Sequence, residues 1–211
     1  MYVISKLASS LGRQDEVPNQ ELAQEIVKNS DKDAIKELVH HLSDKNKDIQ
    51  NDCIKVIYEI GLLNPKLIAG YHQDFEKLLE SKNNRLQWGG MTALNMIVLE
   101  EPDVIFSRLE TLIAAAEKGS VITKDNLMAI LIKLASVPKY SNDAFVLFNE
   151  QLISCPTNQL PMYAENAMPI INHTNKEIFI KTLTSRLDDF EKETKRKRVE
   201  KVIKKSGQLS K

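Results

Sequence analysis

The residues of this chain that could do chemistry are few, and their spacing argues against most familiar reactions. Of four histidines, His40 and His41 are neighbours that must point to different sides of a helix, while His72 and His173 stand far away. No H-x-x-x-H or C-x-x-C pair occurs, so nothing sets two ligands on one face for a metal. There is no P-loop to cradle phosphates, no G-x-S-x-G nucleophile elbow and no dinucleotide fingerprint. Asp and Glu are scattered over the surfaces of predicted helices, where they serve solubility. The expectation is a chain with no catalytic residues, no cofactor and no metal. What remains is the chemistry of recognition. Trp88 is the one tryptophan, and Trp and Tyr dominate binding hot spots because they bring large contact area and a polar handle.

The stretch around Trp88 is the organising element. It runs from Lys82-Asn83-Asn84-Arg85-Leu86-Gln87 through Gly89-Gly90 to Pro102-Asp103-Val104-Ile105, and the same grammar appears 37 residues earlier. There, Lys45-Asn46-Lys47-Asp48-Ile49-Gln50 leads to Ile57, Ile60 and Pro65-Lys66-Leu67-Ile68. A self-match at fixed period is the signature of a repeat array. Pro138 follows Pro102 by 36 residues and Asn175 follows Pro138 by 37.

Apolar residues recurring every three or four positions predict helices throughout. A short helix over 2–11 should stop at Gly12, and Arg13 to Val17 reads as a connector. Pro18-Asn19 then opens a helix that ends near Asn29-Ser30, with Asn19 placed to accept a bond from a free amide of the first turn. Further helices are expected from Asp31, over Asp48 to Ile60 with Gly61 as the stop, and over 66–80, 84–99, 103–117, 121–135 and 141–154. One near 159–172 should be kinked by Pro161 and Pro169. The last unit starts at Asn175 and closes with a helix over 196–205, whose thin apolar edge is Val199, Val202 and Ile203; Gly207 onward should fray.

Composition bounds the function class. An apolar content of 42% supports a packed core, and aromatics at 6% favour helices over a sheet. No apolar run reaches the roughly 20 residues that span a bilayer, and the start is too short and polar for a secretory segment. Cys53 and Cys155 lie far apart, which points to free thiols in a reducing cytosol. The net charge of +0 hides an asymmetry: Lys192 to Lys205 holds eight Lys or Arg against two Glu, while residues 1–191 carry a balance of −7. An acidic body with a basic end is not the pattern of a general nucleic-acid binder, whose affinity comes from clustered basic residues. The pairs Glu191–Lys195, Glu193–Lys197 and Glu200–Lys204 have the spacing that stabilises a solvated helix, so this stretch reads first as a cap.

The segment Leu38-Val39-His40-His41-Leu42-Ser43-Asp44-Lys45-Asn46-Lys47-Asp48-Ile49-Gln50-Asn51-Asp52-Cys53 resembles the HEAT-repeat pattern. Asp44 takes the turn position, Ile49 the aliphatic opener of the second helix, Cys53 the small residue and Gly61 the end. Gln50 stands where that family usually has Arg, so its Asp–Arg ladder is not implied here. Leu86, Gln87 and Gly90 match in the next copy, where Ser81 replaces the Asp. The likeness covers roughly residues 31–205, and the tetratricopeptide pattern, with its shorter period and Trp–Leu–Gly–Tyr signature, fits less well. The resemblance implies an all-α, right-handed α–α superhelix of about five antiparallel helix pairs, HEAT- or armadillo-like. It would form a single domain, with 1–30 as the N-terminal cap, 31–191 the repeats and 192–211 the basic cap and tail. It also implies a concave side lined by the second helices, and a scaffold for protein or peptide partners.

Read in register, the second helices give rows: Asn51, Trp88, Asp125 and Met162; Lys55, Thr92, Ala129 and Asn166; Tyr58 and Asn95. The expected partner-binding residues are Asn51, Lys55, Tyr58, Trp88, Gly89, Thr92, Asn95 and Asp125. Gly90 sits on a core position where close packing explains it. Gly89 does not, and the expectation is that it leaves the wall bare beside Trp88. The alternative function is DNA binding or repair of alkylated bases, since a family of such glycosylases is built from HEAT-like repeats. That chemistry needs a basic, aromatic-lined groove and an acid; Trp88, Tyr58 and Asp125 are what this chain offers. Nucleic acid and membrane are not expected as partners.

Overall fold

The computed structural model describes residues 3–209, and every described element is helical. The expected helix start at Tyr2 and the final tail residues Ser210 and Lys211 lie outside the described residues. The chain forms two compact units, Met1–Leu127 and Met128–Lys211.

In the first unit, α1 spans Val17–Asn29, α2 Lys32–His40, α3 Lys47–Leu63, α4 His72–Leu78, α5 Asn84–Ile97, α6 Pro102–Ser107 and α7 Leu109–Lys118. Helix α8, Val121–Ala135, starts there and crosses the unit boundary. Helix α3 packs on both α1 and α5, and α5 also packs on α4. The apolar stripe read from the sequence forms this core: Ile54, Ile57 and Ile60 of α3, Phe75 of α4 and Met91 and Ile97 of α5 are fully buried.

The helix ends show why the chain folds this way locally. Ser30 closes α1 in the left-handed region at φ 50°, its amide bonded to Val27 O, while Asp31 N reaches Ile26 O. These two bonds form a Schellman motif. Asp31 at once caps α2 through Ala34 N at 2.9 Å. Asn46 caps α3 by accepting from Asp48 N, and Asn83 caps α5 by accepting from Arg85 N; 37 residues further on, the Ser120 hydroxyl accepts from Thr123 N at the head of α8. The repeat is thus visible in its capping residues as well as in its core.

Four expectations are corrected. The described part of the expected first helix, residues 3–11, holds one 3-10 turn, Ile4–Lys6, instead of a helix. Asn19 is not a cap; it lies inside α1, 1% exposed, accepting from Ala8 N and donating to Asp52 Oδ1. Gly61 does not stop α3, which runs on to Leu63; its missing side chain serves packing, since a Cβ there would meet Ile68 at 2.6 Å and Met96 at 2.9 Å. The expected helices 66–80 and 103–117 are each divided: 3-10 turns at Pro65–Leu67 and Ala69–Tyr71 precede α4, and Arg108 separates α6 from α7.

The second unit contains α9 (Ser141–Ser154), α10 (Leu160–Ala167), α11 (Lys176–Ser185) and α12 (Glu193–Gly207). Phe148, Leu160, Phe179 and Val199, from four successive helices, are among its fully buried side chains. Pro161 sits in the first turn of α10, where a proline is tolerated, and Pro169 lies in a 3-10 turn beyond the end of that helix. Helix α12 includes Gly207, the first residue expected to fray, and ends there, with Gln208 as its C-cap. Arg186 follows α11 and donates to the carbonyls of Leu152, Ile153 and Cys155, which end α9. On α12, Glu193 pairs with Lys197, Arg196 with Glu200, and Arg198 with Glu165 of α10.

Candidate recognition face on α3 and α5

Positions 51, 55 and 58 are one and two turns apart on α3, and 88, 92 and 95 repeat that spacing on α5, so each triplet shares a face. Tyr58 and Trp88 come together with ring centroids 5.9 Å apart and planes inclined by 46°. Both rings are half-buried, so each keeps an edge toward solvent.

A ladder of side-chain amides joins the helices beneath them. Asn83 caps α5 with its oxygen and donates from its nitrogen to Asn51 Oδ1 at 2.9 Å and Gln50 Oε1 at 3.1 Å on α3. Gln50 donates in turn to the Asp44 carbonyl at 2.7 Å, so it anchors the turn before α3. Asn126 of α8 donates to Thr92 Oγ1 at 3.0 Å and accepts from Asn95 Nδ2 at 2.9 Å. The Thr92 hydroxyl donates to the Trp88 carbonyl at 2.8 Å.

The charges sit between the rings and the N-terminal segment. Lys55 Nζ lies 2.6 Å from Glu16 Oε2 and 2.7 Å from Glu59 Oε1. The other Glu16 oxygen accepts from Arg85 Nη2 at 2.8 Å. Lys55 stands over the Tyr58 ring at 5.0 Å and Arg85 over the Trp88 ring at 5.9 Å. Burial opposes the Lys55 charge, but the carboxylates of Glu16 and Glu59 outweigh it and hold the ammonium above its ordinary range. Burial pushes the Tyr58 phenol up, partly offset by Lys55. The segment bearing Glu16 is fixed from below: Asp52 accepts from Ser9 N at 2.8 Å and from Asn19 Nδ2 at 2.7 Å. A cleft of about 420 Å³ lies between that segment and the starts of α3 and α5, with Arg13, Asp15, Asp48, Asn51 and Arg85 among its walls.

Three expected contact residues are corrected. Gly89 is buried, and a Cβ there would come within 2.6 Å of Ile54 Cγ1, so the missing side chain serves helix packing and leaves no bare wall. Gly90 packs as expected, against the Phe75 carbonyl and Leu78. Lys55 is covered by Glu16, and Asn95 is 7% exposed and bonded to Asn126. Asn51, Thr92 and Asp125 are half-buried. The residues not anticipated are Glu16, Arg85, Asn83 and Asn126. Asn83 had a signal, being the 37-residue counterpart of Asn46; Glu16 lies in a connector outside any repeat and had none.

No protein-family model and no curated protein sequence matches the chain. Solved structures do. A designed armadillo repeat protein in complex with the peptide (KR)4 aligns over 89% of this chain and 86% of its own, with TM-score 0.66 and 16% identity. A second designed armadillo repeat protein covers 96% and 98%, with TM-score 0.60 and 13% identity. Computationally designed armadillo repeat proteins for modular peptide recognition cover 97% and 98%, with TM-score 0.59 and 16% identity. The chain has the armadillo/HEAT-like helical repeat fold. Among the described residues no helix is long and apolar enough to cross a membrane.

Proposed function

With the armadillo/HEAT-like repeat fold as premise, we propose that this chain is a non-catalytic scaffold that binds a peptide, or an extended segment of a protein, along the face of α3, α5 and the start of α8. The observation that carries the reading is the Tyr58–Trp88 pair, two half-buried aromatic residues with ring centroids 5.9 Å apart beside a ladder of side-chain amides. Aromatic side chains with an exposed edge supply much binding area at little entropic cost. Asn51, Thr92 and Asp125 flank the pair as polar contacts, while Lys55, Gly89 and Asn95 support it from behind. Peptide recognition in the designed neighbours lends support by analogy of fold, which does not itself specify function. The nucleic-acid alternative finds less support, because the two cations of this face, Lys55 and Arg85, are neutralised by Glu16 and Glu59, whereas phosphate binding needs free basic groups. Both cysteines are free, which suits work in a reducing cytosol.

Selection of a displayed random-peptide library against the whole chain tests the reading. Enriched peptides should bind wild-type protein and lose on the order of tenfold or more in affinity on Trp88→Ala, with the melting transition of the variant still cooperative. Failure to enrich any peptide, or peptides indifferent to Trp88, would overturn it.

A further inference from the structure

The side chain of Glu16 occupies the position that a bound carboxylate would take. Its two oxygens are shared between Lys55 at 2.6 Å and Arg85 at 2.8 Å, beside the Tyr58–Trp88 pair. The carboxylate is nonetheless 46% exposed, at the entrance to α1, so it can turn into solvent without moving the helix. Lys55, at 7%, cannot leave. With Glu16 turned out, Lys55 keeps Glu59 as a partner, whereas Arg85 loses the carboxylate it pairs with. Arg85 engages Glu16 through Nη2 alone at 2.8 Å, so one bond holds the guard in place on that side.

We propose that this notch is a carboxylate subsite that Glu16 guards, so that the face selects acidic partner segments carrying an aromatic or apolar residue beside a Glu or Asp. The incoming carboxylate takes the place of Glu16 between Lys55 and Arg85, and its neighbouring side chain lies against Tyr58 and Trp88. The polarity is opposite to that of the basic (KR)4 peptide in the designed neighbour's complex. Glu16 then acts as a resident competitor, lowering affinity for every acidic segment and excluding those without a second contact on the rings. This inference rests on the scaffold reading above and adds the chemistry of the partner.

Three labelled octapeptides test it: alternating Glu and Tyr, Lys and Tyr, and Gln and Tyr, titrated by fluorescence anisotropy against the whole chain. The expected result is that the Glu–Tyr peptide binds best, and that Glu16→Gln strengthens it by about tenfold while strengthening neither of the other two. Adding Arg85→Gln to that variant should abolish the gain. A Lys–Tyr peptide weakened by Glu16→Gln accords with the subsite, because the variant makes the notch more positive; equal binding of all three peptides, still lost on Trp88→Ala, would overturn the carboxylate subsite and leave the scaffold reading intact. Preference for the Lys–Tyr peptide, no binding by any of the three, or weaker Glu–Tyr binding on Glu16→Gln would each overturn it as well; the library selection decides the scaffold reading separately. Should Glu16→Gln fail to fold, the charge ranking on the wild-type chain decides alone.

Discussion

Lys55 is a cation held where water can barely reach it, and its stability contribution must follow its proton. Its folded-state value lies above the ordinary 10.5, so the stabilisation is fully present below that pH and is lost as pH rises through the folded value. Thermal melts between pH 8 and about 12 should show the wild-type protein losing stability at the alkaline end, with a shallower decline in Lys55→Met. Gly89 gives a second residue-scale prediction. Alanine normally improves a helix interior by about 1 kcal/mol over glycine, but here its Cβ would meet Ile54 at 2.6 Å. Overpacking of that kind costs about 1–3 kcal/mol, so Gly89→Ala should lower the urea midpoint; a raised midpoint would show that Ile54 yields freely. The sequence made the equivalence of positions 51 and 88, or 58 and 95, legible through the period alone. It could not show which equivalent positions are open, because that depends on the particular side chain opposite. Ile54 closes Gly89, and Glu16, from outside the repeat, closes Lys55.

The elements were legible wherever capping chemistry and periodicity agreed. Helix α9 spans the expected 141–154 because its apolar stripe is uninterrupted, and α2 begins after Asp31 because that carboxylate caps it. The divided first helices of the second and third repeats were not legible. Apolar spacing survives a 3-10 turn, so the breaks around Ala69–Tyr71 and at Arg108 leave the hydrophobic pattern intact while changing the backbone. Ser30 is the weak joint among these elements: it is a non-glycine residue at φ 50°, held there by the Schellman bonds. Ser30→Gly should therefore stabilise the first unit, by about 0.5–1 kcal/mol, since glycine adopts that conformation without steric cost. A denaturation midpoint unmoved or lowered by the substitution would mean that Ser30 is stabilised there by something other than the backbone bonds.

For the molecule as a whole, the repeat fold followed from one number, the spacing near 37, and the solved structures it resembles share that fold at 13% to 16% identity. Identity so low is possible because a solenoid asks only that each repeat present apolar residues to its neighbours. The same tolerance explains why the partner was not legible: nothing in the period constrains Trp88, Tyr58 or Glu16. The basic run at the end of the chain is absorbed in part by structure, with Val199 and Val202 buried and Arg198 bonded to Glu165 at 2.6 and 2.9 Å.

The capping residues Asn46 and Asn83 occupy the same place in consecutive repeats. The 37 residues from Asn46 to Lys82 therefore begin and end at interchangeable joints, each preceded by a lysine. Duplicating that cassette restores a Lys–Asn step, and with it the capping asparagine, at each new splice, which makes this joint the place to lengthen the chain by one repeat.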